Sequence, residues 1–290
     1  MLDYFFSHKN VDGVSDIVEY INNLKAKISS NTFDKYDDIV LETEQIFEKI
    51  RQYAIEINDE KLANSQYITR QYLNYLINIS RYYEHLSKKQ YRQSWDYLQN
   101  ALDIGRLLKR FAKKTNCYEL DDLFNHLLAY EKLYPFEYFA STELIISESE
   151  CTICGKSMQT LECEHIQGNL YWGEMAKRKV TKIDKIRAVA LVTSPYDKRC
   201  VIYPEGVIDT EYFRKIDSFL ELGLPYLEMF SINSEIVKKK NDRIRKKGRN
   251  ELCSCGSGKK FKKCCGRELY YNHENITINR FGLIKLTPIT

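Results

Sequence analysis

Four cysteines fall within thirteen positions, Cys253, Cys255, Cys264 and Cys265, and this spacing leaves little choice for the fold around it. Gly256, Gly258 and Gly266 permit tight turns, and after Leu252 the only large apolar side chain of the stretch is Phe261. So short a segment buries little apolar surface. Two thiol pairs joined by a short loop instead suit Zn²⁺, which takes four soft ligands in a tetrahedron at about 2.3 Å. Metal binding then supplies most of the folding free energy, on the order of 10–16 kcal/mol for structural zinc peptides.

A second cluster lies upstream, where residues 151–165 read CTICGKSMQTLECEH. Cys151-x2-Cys154 with Gly155 behind it has the form of a metal knuckle, and Cys163 with His165 completes a Cys₃His set at zinc-compatible spacing. Cys200 is the substitute ligand should Cys163 or His165 be merely structural; otherwise Cys117 and Cys200 are left over, with packing as their default role. The N-terminus, MLDYFFSHKN, lacks a basic region followed by an apolar core, so the expected compartment is the cytoplasm, where the nine cysteines stay reduced and serve as ligands rather than disulfides. Glu164-His165-Ile166 resembles the start of an HNH nuclease metal site, but no second CxxC and no downstream Asn/His pair follows at suitable spacing.

The C-terminal cysteines also carry a family resemblance. Residues 250–267 resemble the SEC-C motif, the zinc-binding tail of preprotein translocases: Cys253, Cys255, Gly256, Ser257, Gly258, Lys259, Lys260, Cys264 and Cys265 follow its pattern. The resemblance implies a zinc ion and a macromolecular partner, with a ribosome, a SecB-like chaperone or an anionic lipid surface as the family's kinds of target. It does not extend to motor activity, since the chain has no GxxxxGK[ST] phosphate loop.

Charge points the same way. Residues 238–267 hold thirteen Lys or Arg against two acids, a formal +11, so the rest of a chain with net charge +4 sums to −7. A zinc ion with four thiolates carries about −2, which leaves the segment strongly basic. Such a field attracts an acidic protein face, RNA or phospholipid, and its hold weakens as salt rises.

The rest reads as mainly α. Val14, Ile17, Val18, Ile21, Leu24 and Ile28 share one face of a 3.6-residue period, and similar runs follow at 39–50, 67–86, from about 90, and at 120–128. This texture predicts a helical bundle or helical-repeat domain over 1–140. Short strands are expected at 143–146, 186–192 and 200–203, placing a small α/β zinc-ribbon-like module at 141–206. A helical segment over 207–237 is expected to start from an Asp209 or Thr210 cap, break at Gly223 and Pro225, and resume from Tyr226; a basic linker at 238–249, a zinc knuckle at 250–267 and a tail at 268–290 complete the division. Residues 276–286 are a further strand candidate, and no apolar run approaches the ~20 residues of a membrane span. Arg81-x3-His85 resembles the Arg and His of HEPN ribonucleases at a shorter spacing. The expected function is a zinc-binding adaptor, with a nuclease or a non-catalytic nucleic-acid binder as alternatives.

Overall fold

The computed structural model describes all residues except 34–35, 113–116, 161, 203–211, 243 and 245–246. Seven α-helices and seven β-strands lie among them. The chain divides into two compact units, Met1–Met229 with Leu283–Thr290, and Phe230–Gly282.

In the first unit the helices are α1 (Leu2–Phe6), α2 (Val14–Ser29), α3 (Asp37–Glu56), α4 (Glu60–Ser87), α5 (Tyr91–Phe111), α6 (Leu120–Glu131) and α7 (Arg214–Leu220). Helix α4 is buried almost all round, since residues 62–69 are buried without a break and Tyr72, Tyr75, Leu76, Ile77, Ile79 and Tyr83 follow, which makes it a core helix rather than an amphipathic one. Helices α1, α2, α3 and α5 all pack against it. It begins seven residues before the apolar run at Tyr67, because Asp59 caps it by accepting a hydrogen bond from the Leu62 N–H at 2.9 Å. Polar groups of the core pair with one another, as in Tyr36 Oη with Ser80 Oγ and Ser94 Oγ with Tyr134 Oη, each at 2.6 Å.

Lys25 is only 2% exposed, yet lies on the inner face of α2. Its ammonium pairs with Glu119 at 3.2 Å, donates to the Thr287 carbonyl at 2.9 Å, and sits between the Tyr72 and Tyr118 rings. Asn22 and Ile289 exchange two hydrogen bonds, of 2.8 and 3.0 Å, that hold the segment Leu283–Thr290 against the same helix.

Strand β1 (Tyr138–Cys151) pairs antiparallel with β4 (Arg178–Val192), forming a ribbon much longer than the short strands expected. The two-residue strand β5 (Val201–Ile202) joins β1 only at Tyr138 and Phe139. Strands β2 (Leu170–Tyr171) and β3 (Glu174–Met175) form a hairpin whose turn residues, Trp172 and Gly173, both have positive φ. That turn docks on the helices. The buried Gly173 N–H donates to Asn64 Oδ1 at 2.8 Å, and Arg51 Nε donates to the Trp172 carbonyl at 2.9 Å. A Cβ on Gly173 would meet the Ala63 carbonyl at 2.9 Å, so only glycine allows the approach.

Two expectations change. The helix expected from Tyr226 is instead strand β6 (Glu228–Lys240), where Glu228, Phe230 and Ile232 are buried at the period of two that defines a strand. Before it, α7 covers only Arg214–Leu220 and Gly223 takes φ +62°; the proposed caps Asp209 and Thr210 lie outside the described residues. In the second unit β6 pairs with β7 (Tyr270–Leu283), a longer strand than residues 276–286 alone suggest.

Replacing Asn64 by alanine leaves the buried Gly173 N–H without its acceptor, so the Asn64→Ala protein is expected to lose about 1–3 kcal/mol of stability. Guanidinium unfolding measures the loss, and amide exchange is expected to speed up at residues 170–175 first.

Candidate metal centres

Strand β1 ends at Cys151, whose side chain is buried. The chain then turns back at once: the Gly155 N–H donates to the Cys151 carbonyl and the Cys151 N–H to the Lys156 carbonyl, both at 2.9 Å. Gly155 has φ +69°, which a residue with a Cβ adopts only under strain. The turn aims the Ile153 N–H at Cys151 Sγ, 3.4 Å away. From the following loop, Cys163 Sγ comes to 3.7 Å from Cys154 Sγ and 3.9 Å from His165 Nδ1. The His165 ring stands edge-on to Tyr171 of β2, with centroids 4.6 Å apart, and the Tyr171 hydroxyl accepts from the Ile166 N–H at 3.0 Å. The hairpin seated on α4 therefore also orients the histidine.

In the second unit, Leu252 and Lys260 form an isolated bridge, and the Cys253 N–H donates to the Lys259 carbonyl at 2.8 Å. Gly256, at φ +79°, turns the chain between them. Cys264 Sγ lies 3.4 Å from Cys255 Sγ and 3.9 Å from Cys265 Sγ, with Ser257 Oγ 3.1 Å away. Cys253, Phe261 and Leu269 make a small apolar core, with Ile244 of the basic stretch packed against it. The basic residues are thereby tied to the cysteines: Lys238–Lys240 lie in β6, Ile244 is packed, and the Lys262 N–H donates to the Arg249 carbonyl at 3.1 Å.

Each set brings four donor atoms within 4.8 Å of one another, and these are the two metal-type clusters found among the described residues. A tetrahedron with metal–sulfur bonds of about 2.3 Å has edges of about 3.8 Å. The sulfur–sulfur separations, 3.7 Å in one set and 3.4 and 3.9 Å in the other, lie within about 0.4 Å of such an edge, and the Cys163 Sγ to His165 Nδ1 distance is 3.9 Å. Both sets could hold a metal ion.

The thiols are prepared for this unequally. The Ser257 hydroxyl and N–H pull the Cys255 thiol down to about 6, while hydrogen bonding to the Cys253 sulfur pushes Cys265 up to about 12. Burial pushes Cys151 up, but the N–H groups of Cys154 and Ile153 outweigh it and leave that thiol below its usual value. Protons are shared unevenly among sulfurs held this close. A cation at the centre lets all four be thiolates together.

The remaining candidates lie elsewhere. Cys200 is exposed and outside the four-donor set, its carbonyl accepting from the Ala140 N–H at 2.8 Å, and the Cys117 side chain lies outside the described residues. Arg81 and His85 both lie against the Tyr97 ring, His85 stacked at 5.0 Å and bonded through Nδ1 to Gln90 Oε1 at 2.6 Å. The sequence reasoning missed the 170–175 hairpin that supports the first cluster. Its signal was there in Trp172-Gly173, a two-residue turn after the apolar pair Leu170-Tyr171 and before Glu174-Met175.

With the second cluster's geometry in view, the comparison with known families is direct. Residues 249–267 match the SEC-C motif. Curated relatives that match are SecA subunits of protein translocases. The similarity is 24% over 268 residues to that of Clostridium botulinum (strain Alaska E43 / Type E3), covering 86% of this chain and 31% of that protein. It rises to 62% over 39 residues for Syntrophomonas wolfei, covering 13% of this chain and 5% of that protein. For Clostridium beijerinckii it is 87% over 25 residues, covering 9% and 3%. Identity climbs as the alignment shortens, so the likeness is concentrated in a stretch of about the motif's size. The chain spans about a third of the length of the first of these relatives. No solved structure matches it.

The two centres are expected to load independently. Cys154→Ser should remove one metal equivalent and Cys255→Ser the other, read by elemental analysis of the purified full chain; loss of both from either variant would show one linked site. Ser257→Ala, which removes a hydrogen bond beside the second set only, should weaken metal retention there by about 10–100-fold in competition with a chelator.

Proposed function

We propose that this chain is a zinc-binding adaptor acting in the cytoplasm. One zinc ion would be held by Cys151, Cys154, Cys163 and His165, the other by Cys253, Cys255, Cys264 and Cys265. Thiolate-rich tetrahedral sets select zinc over hard cations, and reduced thiols persist as ligands in that compartment. Four protein ligands leave no open position for a water molecule, which is the arrangement of structural rather than hydrolytic zinc. This favours the adaptor over a nuclease centred on His165.

The observation that carries the reading is the second donor set, matched by the SEC-C motif and surrounded by exposed Lys259, Lys260, Lys262, Lys263 and Arg267. The metal orders the loop, and the ordered loop holds five cations in fixed relation to one another. That surface suits a partner rich in carboxylates or phosphates, with a ribosome or a SecB-like chaperone as the proposed target. The SecA relatives are named as protein translocase subunits, which supports a protein partner connected with translocation. RNA and anionic lipid are the simpler ligands such a surface would also attract.

Elemental analysis should return two zinc ions per chain. The full chain should cosediment with purified bacterial ribosomes or be retained by a purified SecB chaperone, losing at least about tenfold in binding between low and physiological salt. Lys259, Lys260, Lys262 and Lys263 changed together to Glu should abolish retention while the zinc content stays at two. A chain that binds neither target overturns the recruiting role, and equal binding of naked RNA favours the non-catalytic nucleic-acid reading.

A further inference from the structure

The β1–β4 ribbon presents side chains to solvent along its length: every residue of β4 is exposed except Val192, which is half-buried. In the sequence, the apolar residues Ile183, Ile186, Val189 and Leu191 are spaced by three, three and two. An unbroken strand would split them between its faces. Shifts in the register at Glu143/Leu144 and Ile145/Ile146 correct this. Successive pairs in an antiparallel ladder alternate between faces, so every second pair shares one face. Counted this way, Ala140–Leu191, Thr142–Val189, Leu144–Ile186, Ile146–Ile183 and Ser149–Val180 lie on one face. The next pair on this face, Cys151–Arg178, ends it beside the buried Ser149, to whose Oγ the Arg178 Nε donates at 2.8 Å; none of the other ten residues is charged. Of the charged residues in the register gaps, Arg187 pairs with Glu143 at 2.9 Å and Asp184 accepts from Ser147 at 2.7 Å. The other face carries Glu143, Lys185, Glu148 and Lys182, with Lys182 and Glu148 paired at 3.3 Å.

We propose that this apolar face is a self-association surface, covered in solution by the same face of a second copy of the chain. An isolated two-stranded ribbon is at best marginally stable in water and needs something packed on its apolar side. Leu144, Val180, Ile183, Ile186, Val189 and Leu191 are 38–67% exposed in the single chain. They offer roughly 600 Å² per copy and about 1,200 Å² in a pair, the lower edge of a specific interface. A charged partner would find on the paired positions of this face only Arg178, at one end and already bonded to Ser149. A second copy presents an apolar surface of the same length and the same twist, and a two-fold axis between the copies makes the two faces match. Two such faces stack about 10 Å apart, as sheets do in a sandwich core.

Sedimentation equilibrium of the full chain, from about 1 to 100 µM, tests this. The unaltered protein should be a dimer whose dissociation constant lies in that range. Ile186→Glu and Val189→Glu should each raise it at least ~100-fold, because each buries an unpaired charge. Lys185→Glu, on the opposite face, should leave it unchanged. Should a glutamate variant lose its circular dichroism, Ile186→Ala and Val189→Ala replace it, each with an expected shift of about tenfold. A protein that stays monomeric throughout overturns the proposal, as do face variants that dimerise like the original or a Lys185→Glu protein that dissociates with them.

Discussion

Helix α4 contains more apolar surface than a helix at the edge of a protein can hide. Residues 62–69 are buried without a break, which covers every side of two turns, and further along Tyr72, Tyr75, Leu76, Ile77, Tyr82 and Tyr83 are buried as well. Such a helix must be enclosed, which is why α1, α2, α3 and α5 surround it. The first metal centre depends on the same enclosure. The 170–175 hairpin meets α4 through the hydrogen bond from the Gly173 N–H to Asn64, and Tyr171 of that hairpin stands against His165. A histidine ligand far along the chain from the core is thus oriented by the core.

The helices were legible because burial on a helix recurs every three or four residues. Ile17, Ile21, Leu24 and Ile28 of α2 are buried as their spacing predicts. The same rule hid the start of α4, whose first turns bury Asn64, Ser65 and Gln66. A polar residue inside a core gives no periodic signal, since its burial depends on a partner elsewhere in the chain; for Asn64 that partner is an N–H more than a hundred residues away. Lys25 is a second case, buried against a carboxylate and a carbonyl that the local sequence cannot foresee.

The donor residues were legible for the opposite reason. Metal ligands must converge within a few ångströms, so they come in pairs separated by turns, and the eight residues picked out by spacing are the eight that the structure gathers into two sets. Strands fell between these cases. The stretch from Glu228 buries Glu228, Phe230 and Ile232 at a period of two, a pattern overlooked beside the polar residues between them. In β4 the period itself was broken, and only the pairing register reveals that the apolar residues share a face.

The charge distribution links these parts. A protein with net charge +4 might carry it evenly, and its surface would then attract little. Here thirteen of the cations belong to residues 238–267, and the apolar cluster beside them is small, made by Cys253 and Phe261 with the adjoining Leu269 and packed by Ile244. Mutual repulsion of so many like charges opposes folding of that unit, and its small core does little to offset it. Beside the β6–β7 pairing, the four converging sulfurs could add stability, and would do so only with a cation that allows them to be thiolates at once. With zinc bound as proposed, the basic surface and the metal of the second unit would be one device. Removing the metal would leave the charge in place but scatter it over a loosened chain, where it no longer matches the shape of any single partner.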